Sequence, residues 1–270
     1  MIAGIVLYNP EIERLKENID AVYKQVDAVW CIDNGSDNTL KIDDILKSYP
    51  NVSIIYNHEN KGIAYALNQL LSIAIEKDFN YLLTLDQDSV VESDYVRKIL
   101  DFYIDNDVAL ISPNILDIHD RDGLLLEKDG IKLVSDCITS GTIMNIDVCK
   151  EIGWFDERMF IDYVDFEYCY RVVDSGYKII RNNNVTLSHQ LGNGKVVKLL
   201  GKGVMVANHN CKRHYYLVRN CVYLMKKYPT RRWLLARRII REVIIVIMYE
   251  EYKIRKFKTC LEGLVAGMIM

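Results

Sequence analysis

At 270 residues, half of them hydrophobic and 26% charged, the chain has globular composition, which excludes a disordered or low-complexity protein. The length suits one large α/β domain or two smaller ones. A net charge of −3 hides an asymmetry: residues 211–270 hold 14 Lys and Arg against four Asp and Glu, so this stretch carries +10 and the rest −13.

The apolar run Met1–Leu7 opens the chain, and Asn9-Pro10 starts a helix-like stretch to about Lys24. Ala28–Asp33 is a second apolar run ending in Asn34-Gly35-Ser36-Asp37, a dense turn signal. Helix is expected over 38–47, strand over 52–56, helix over 62–77 and strand over 81–85, which stops at Asp86-Gln87-Asp88-Ser89. Helix to about Tyr103 and strand over 108–112 follow. Strands separated by helices of this length imply βαβ units and a parallel sheet, whose ligand lies beyond the carboxyl ends of the strands. The polar clusters fall at those ends: Tyr8-Asn9, Asp33-Asn34, Asn57-His58 and Asp86 to Asp88.

After Pro113 the rhythm changes. Residues 123–134 read as β-structure, 138–145 as a strand, 163–175 as a helix and 185–189 as a last short strand. Residues 190–210, with four glycines and three lysines, read as a mobile loop, and helices follow over about 213–227 and 231–257. No internal repeat is visible. Seven scattered cysteines form no CxxC pair and read as reduced thiols. Residues 2–7 lack a basic flank and are too short for a secretory signal, so secretion is not expected.

Asp86 and Asp88, two residues apart at a strand end, suit one hard divalent cation with a substrate phosphate in its shell; a solvated turn or helix cap explains them equally well. Asp33-Asn34-Gly35-Ser36 could receive a base N–H, or be only a βα turn. Asn60-Lys61-Gly62-Ile63 enters a helix whose N-terminus favours an anion. In 153–171, Asp162 and Asp165 stand three apart and would share a helix face. One carboxylate there, near apolar walls, could serve as general base. His189 could offer a neutral imidazole to a metal, although a lone His is more often a satisfied or surface residue.

Seven segments in this order, LYNP (7–10), CIDNGSDN (31–38), NKGIAYALN (60–68), LDQDS (85–89), TSGT (139–142), FDERMFIDYVDFEYCYR (155–171) and SHQLG (188–192), resemble the inverting family-2 glycosyltransferases. The FIDYVD form and the central Gln of DQD bring it nearest, within that family, to the bacterial rhamnosyltransferases that use a dTDP-sugar. The resemblance covers about residues 1–220. It implies a GT-A-like α/β fold, a mostly parallel sheet flanked by helices, with a catalytic domain over 1–210 and a C-terminal helical extension over 211–270. Within the domain, 1–113 would bind nucleotide and 114–210 acceptor. It implies that Tyr8, Asn9, Asp33, Asn34, Asn60, Gly62, Ile63, Asn68, Asp86 and Gln87 line the donor nucleotide. Asp88, with Asp86 and His189, would hold Mg2+ or Mn2+. Ser140, Gly141 and Asp162 would lie near the acceptor. Family members often carry Glu-Asp before the acceptor helix; aligned on Cys169 the pair falls on Val164-Asp165, so Asp165 inherits the base role while Val164 departs from the pattern. The implied reaction moves a sugar, L-rhamnose from dTDP-L-rhamnose, onto a hydroxyl of a lipid-linked or oligosaccharide precursor of a bacterial surface polysaccharide, with inversion.

Two alternatives stand beside it. LDQDS also suits a haloacid-dehalogenase-type phosphatase with Asp86 as nucleophile, although some 85 residues precede the motif here. A non-catalytic sugar-nucleotide binding module is the other. The tail carries no nucleic-acid motif and its aromatics do not alternate with its basic residues, so no nucleic-acid partner is expected. Arg231, Arg237, Arg238 and Arg241 gather on one helical arc opposite Ala236, Ile239, Ile240, Val243 and Ile247, with Leu234 and Ile245 intruding on the basic side. So many charges exclude a spanning helix, and the segment is expected to lie on an anionic membrane surface, placing the chain in the cytoplasm at the inner face of the membrane. The alternative is a helix packed on the core or on a partner subunit in an oligomer.

Overall fold

The computed structural model describes residues 1–101, 105–117, 130–189, 195–199, 202–206 and 208–270. The chain packs as two compact units: Met1–Glu157 with Asp165–Gln190, and Arg158–Val164 with Leu191–Met270.

The first unit is built on an eight-stranded sheet. Strands β1 (Ile2–Leu7), β2 (Ala28–Asp33), β3 (Val52–Tyr56) and β4 (Tyr81–Asp86) alternate with helices α1 (Ile12–Val22), α2 (Thr39–Leu46) and α3 (Ile63–Glu76). All six residues of β1 are buried, as a continuous apolar run in a central parallel strand requires. Gly4 lets α3 close on that strand, since a Cβ there would stand 2.6 Å from Leu70 Cδ1. Then come α4 (Tyr95–Ile99), β5 (Val108–Asp117), β6 (Ile131–Val134), β7 (Thr142–Asn145), α5 (Ile146–Ile152), α6 (Val164–Asp174) and β8 (Lys178–His189). The spatial order is β3-β2-β1-β4-β7-β5-β8-β6. β1 to β4 pair parallel, as do β5 and β8, while β7 and β6 run against their neighbours. The mostly parallel sheet expected from the βαβ rhythm is therefore present.

Several boundaries differ. α4 spans one turn rather than reaching Tyr103, β7 starts at Thr142 because Gly141 turns the chain with φ +77°, and β8 begins seven residues earlier than expected. Of the β-structure expected over 123–134, only β6 lies within the described residues. Helix α5, begun by Asn145 accepting the Asp147 N–H at 3.1 Å, was hidden by its shortness.

In the second unit the expected mobile loop contains an antiparallel pair, β9 (Lys195–Leu199) and β10 (Lys202–Val206); 190–194, 200–201 and 207 lie outside the described residues. Three helices follow rather than two: α7 (Cys211–Lys227), α8 (Arg232–Tyr249) and α9 (Lys253–Ile269). The break falls at 250–252, where Tyr252 adopts a left-handed φ of +54° and buried Glu250 accepts from His214 Nε2 and Lys256 Nζ, both at 2.8 Å. α9 lies directly on α7: a Cβ on Gly263 would meet Tyr215 O at 2.6 Å, and one on Gly267 would meet Arg219 O at 2.5 Å. Ile245, expected to intrude on the basic side of its helix, is instead buried with Leu235 and Val246, while Ile240 and Ile247 are exposed. Among the described residues no helix is long and apolar enough to cross a membrane.

Candidate active site

Parallel pairing puts the carboxyl ends of β1 to β4 along one edge of the first unit, and hydrogen bonds tie those ends together. Gln87 clasps the Tyr8 backbone from both sides, its Oε1 accepting the Tyr8 N–H at 2.8 Å and its Nε2 donating to Tyr8 O at 3.3 Å. Asn9, with φ +48°, donates its N–H to Ser36 Oγ and accepts from the Asp37 N–H, both at 2.8 Å. Tyr8 itself is half exposed above this edge.

Asn34 is the hub of the second and third turns. Its Nδ2 donates to Asn60 Oδ1 at 3.2 Å and Gly62 O at 3.1 Å, while its Oδ1 accepts from the Lys61 N–H and Asn57 Nδ2. Gly35 permits this closeness, because a Cβ there would stand 2.7 Å from the Glu59 carbonyl carbon and φ is +86°. Gly62 (φ +90°) and half-buried Ile63 then open α3. Asp33, 1% exposed, accepts the Ser36 N–H on Oδ2 at 3.1 Å, while its Oδ1 has no hydrogen-bond partner within the protein. A buried carboxylate oxygen left in this way suits a ligand N–H. Asn68 is buried further along α3 and serves the scaffold: it donates to Phe155 O and Glu157 Oε1 and accepts the Phe155 N–H.

The Asp86–Asp88 turn is held from α1 and from the loop before β7. Asn18 Nδ2 donates to Asp86 O at 2.7 Å, Arg14 Nε to Asp88 O at 2.8 Å, and the Asp86 N–H to Ser140 Oγ at 3.1 Å. Buried Ser89 and Ser140 meet at 2.7 Å, and the Gly141 N–H donates to Thr84 O at 2.7 Å. Only glycine fits at 141, where a Cβ would meet Leu187 Cδ2 at 2.8 Å and Tyr95 Oη at 2.9 Å. The expected acceptor loop is thus attached to the expected metal-binding turn. Both carboxylates are half exposed at the strand end, a hard oxygen donor pair that fits Mg2+ or Mn2+ carrying a substrate phosphate. Among the described residues no group of three or more His, Cys, Asp and Glu is placed to hold a metal ion. The backbone of β8 reaches this turn, with the Val90 N–H donating to Ser188 O at 3.4 Å. The side chain of His189 lies outside the described residues.

Asp165 sits in the first turn of α6 and its Oδ1 accepts the Phe166 N–H at 2.8 Å. It lines a small recess with Thr84, Thr139, Thr142, Cys137 and Cys169. Arg171 fixes this helix: it grips buried Glu167 at 2.9–3.1 Å and donates to Ile152 O and Trp154 O at the end of α5. Phe155 stacks on Tyr168 at 4.3 Å between ring centres.

Asp162 does not share a helix face with Asp165. It and Tyr163 have φ near +65°, so α6 starts only at Val164. Asp162 belongs to the second unit, where its Oδ1 accepts from Arg213 Nε and Nη2 at 3.1 Å. Burial pushes its carboxyl above the usual range, with the Arg213 guanidinium opposing, and its buried Oδ2 has no partner.

The sequence assigns no role to Arg14 or Asn18, nor to Glu167 and Arg171, although both of these stand within the 155–171 motif. Asn18 alone left a signal there: it is a polar residue on the Leu15, Ile19 and Val22 face of an amphipathic helix.

The chain and its fold are similar to those of known proteins. The chain is 30% identical to the dTDP-rhamnosyl transferase RfbF of Shigella flexneri, over 95% of this chain and 91% of that one. It is 23% identical to the pre-mycofactocin glycosyltransferase of Mycobacterium tuberculosis over 56% of this chain and 35% of that protein. The fold is similar to that of the mannosyltransferase PcManGT of Pyrobaculum calidifontis, solved with GDP-Man and Mn2+ (TM-score 0.61, 14% identity, 99% of this chain, 75% of that one). It is also similar to GalNAc-T7, solved with UDP, GalNAc and Mn2+ (TM-score 0.61, 15% identity, 99% of this chain, 56% of that one). These likenesses do not favour the phosphatase or the non-catalytic module. Residues 3–153 match the model of glycosyl transferase family 2, more than half of the chain, and the protein is a glycosyltransferase of that family.

Proposed function

We propose that this glycosyltransferase moves L-rhamnose from dTDP-L-rhamnose onto a hydroxyl of a lipid-linked or oligosaccharide precursor of a bacterial surface polysaccharide, inverting the anomeric centre. The 30% identity to a dTDP-rhamnosyl transferase along nearly the whole chain carries the donor assignment. Asp33 Oδ1, buried and without a donor, would accept the ring N–H of thymine, and the Asn34–Asn60–Gly62 turn would shape the nucleotide's seat. Asp165 takes the proton from the acceptor hydroxyl as its oxygen attacks the anomeric carbon. The bond to the nucleoside diphosphate breaks on the opposite face, and its electron pair leaves with the phosphate oxygen. One base and one displacement suffice, through an oxocarbenium-like transition state. Asp86 and Asp88, with His189, would hold Mg2+ or Mn2+, which when bound offsets the charge of the departing diphosphate.

The working place we propose is the inner face of the membrane. The second unit presents apolar stripes at helical spacing on α8 (Trp233, Ile240, Ile244, Ile247) and on α9 (Ile254, Leu261, Val265, Met268), all exposed. Exposed Arg232, Arg237, Arg241, Lys253, Arg255 and Lys258 flank them. Apolar residues rimmed by basic ones suit an anionic lipid surface, which would bring a lipid-carried acceptor near.

A donor panel of dTDP-L-rhamnose, UDP-sugars and GDP-sugars, read by product mass with a bacterial lipid extract as acceptor source, tests the reading. Transfer of a deoxyhexose from the dTDP donor is expected; transfer from UDP or GDP donors alone overturns it. Asp165→Asn keeps the shape and removes the base, so transfer should fall by about 10²–10⁴-fold. A loss under about tenfold, with a far larger loss in Asp162→Asn, would move the base to Asp162.

A further inference from the structure

Two successive residues just before α6, Asp162 and Tyr163, hold left-handed φ values of +66° and +65°. Residues other than glycine occupy that region at a cost, and a run of two persists only where neighbouring groups over-determine it. The groups that do so come from α7, in the same unit. Asn220, fully buried, donates to Ile161 O and to Asp162 O, both at 2.8 Å. Those carbonyls belong to the two peptides on either side of the Asp162 α-carbon, so one amide pins the dihedrals there and the peptide leading into Tyr163. Behind it, Asn220 Oδ1 accepts from Arg219 Nε at 3.0 Å and Nη2 at 2.8 Å, and Nη2 also donates to Arg158 O at 2.6 Å. Arg219 thereby fixes which way the amide faces. Arg213 holds the Asp162 carboxylate from the same helix, and Phe160 stacks on Tyr216 at 5.1 Å between ring centres.

Both hydrogens and the oxygen of the Asn220 amide are used within this one arrangement. Asp at that position would set oxygens against carbonyl oxygens, and Ser would supply one donor where two are needed. The pinned turn decides where α6 begins. A helix running back over Asp162 would put that carboxylate on the face of Asp165; the left-handed pair stops it, and α6 starts at Val164 with Asp165 in its first turn. Asp165 stands two residues beyond Tyr163, so its place depends on the dihedrals that Asn220 holds. Building on the reading of Asp165 as general base, we propose that Asn220 is a positioning residue for it, with Arg219 orienting the Asn220 amide.

Steady-state kinetics on the full chain test this, with whichever donor of the panel supports transfer and the lipid extract as acceptor source. Asn220→Asp keeps the size and the pairing with Arg219 but loses both donors; Asn220→Ser serves if that variant lacks cooperative unfolding. Each should lower kcat at least about tenfold, because a misplacement of about 1 Å at a reacting group costs up to about 10²-fold, while the donor KM stays within about twofold. Placed in Asp165→Asn, whose residual transfer is read by product mass over long incubations, the same change should cost nothing further, since no base is left to position. A merely structural role would multiply the two losses. The proposal is overturned if the Asn220 variants keep the wild-type kcat, if they raise the donor KM in place of lowering kcat, or if their loss recurs in full beside Asp165→Asn. Wild-type transfer by Asp165→Asn alone would remove the base reading with no change made at 220. Loss in Asp165→Asn without loss in the Asn220 variants overturns the positioning alone, so the two failures are distinguishable.

Discussion

The Asp86 backbone N–H donates to Ser140 Oγ at 3.1 Å across 54 residues of sequence. Together with the Ser89–Ser140 contact at 2.7 Å, it ties the loop expected at the acceptor to the turn expected at the metal. Ser140→Ala removes the acceptor that the Asp86 N–H uses and one hydrogen bond of buried Ser89 Oγ, so stability should fall by about 1–3 kcal/mol. Thermal unfolding reads that cost. Transfer should fall too, since the Asp86–Asp88 turn loses an anchor; a variant with wild-type melting and activity would show that the bond positions nothing.

Asp33→Asn keeps the side chain's size and its bond to the Ser36 N–H but removes the charge. A hydrogen bond to a charged group is worth about 1.5–3 kcal/mol, so dTDP affinity should fall by about tenfold to a hundredfold. Calorimetric titration with dTDP measures it. The folded apo-protein should hold its melting temperature, because Oδ1 has no partner within the protein to lose.

The second unit should be less stable at alkaline than at mildly acidic pH. His214 is fully buried, with Nδ1 on Glu242 and Nε2 on Glu250, both at 2.8 Å. Burial by itself lowers the imidazole's pKa, but the two carboxylates outweigh it and hold the pKa above its ordinary value. Lys256 Nζ also meets Glu250, and the His209 ring stands 6.0 Å away with its own pKa lowered by burial to about 4. A folded pKa above the unfolded one gives a contribution that is complete below about pH 6.5 and lost as pH rises through the raised value. Melting followed from pH 6 to 9 should show this decline, and His214→Gln should flatten it.

Membrane binding is tested by flotation with anionic vesicles at low salt. Cutting the chain near residue 229 would strip α7 of the helices packed on it, so surface changes are the sounder probe. The full chain should float, and Ile240→Glu, Ile244→Glu and Val265→Glu combined should not, since all three are exposed and none holds the helices together. Flotation of the triple variant would remove the stripes as the lipid contact.

What the sequence determined by itself was local. Strands β1 to β4 and helices α1 to α3 follow from apolar period and turn residues alone, and with them the polar clusters reach one edge of the sheet. The Asp86–Asp88 pair stands out locally as two carboxylates at a strand end, a pattern a turn or cap explains equally well, whereas the roles proposed for it and for Asp165 come from the family resemblance. The tertiary structure decided what depends on distant partners. Gln87 clasps Tyr8 from 79 residues away, Asn68 is spent on Phe155 and Glu157, and Arg14 and Asn18 hold a turn about 70 residues distant. Left-handed backbone at Asp162 itself and at Tyr163, which no periodicity marks, takes Asp162 off the face of Asp165. The break before α9 likewise rests on Glu250 being buried against His214 and Lys256. A backbone period is written residue by residue, whereas a buried polar group is satisfied only by whatever the fold brings beside it.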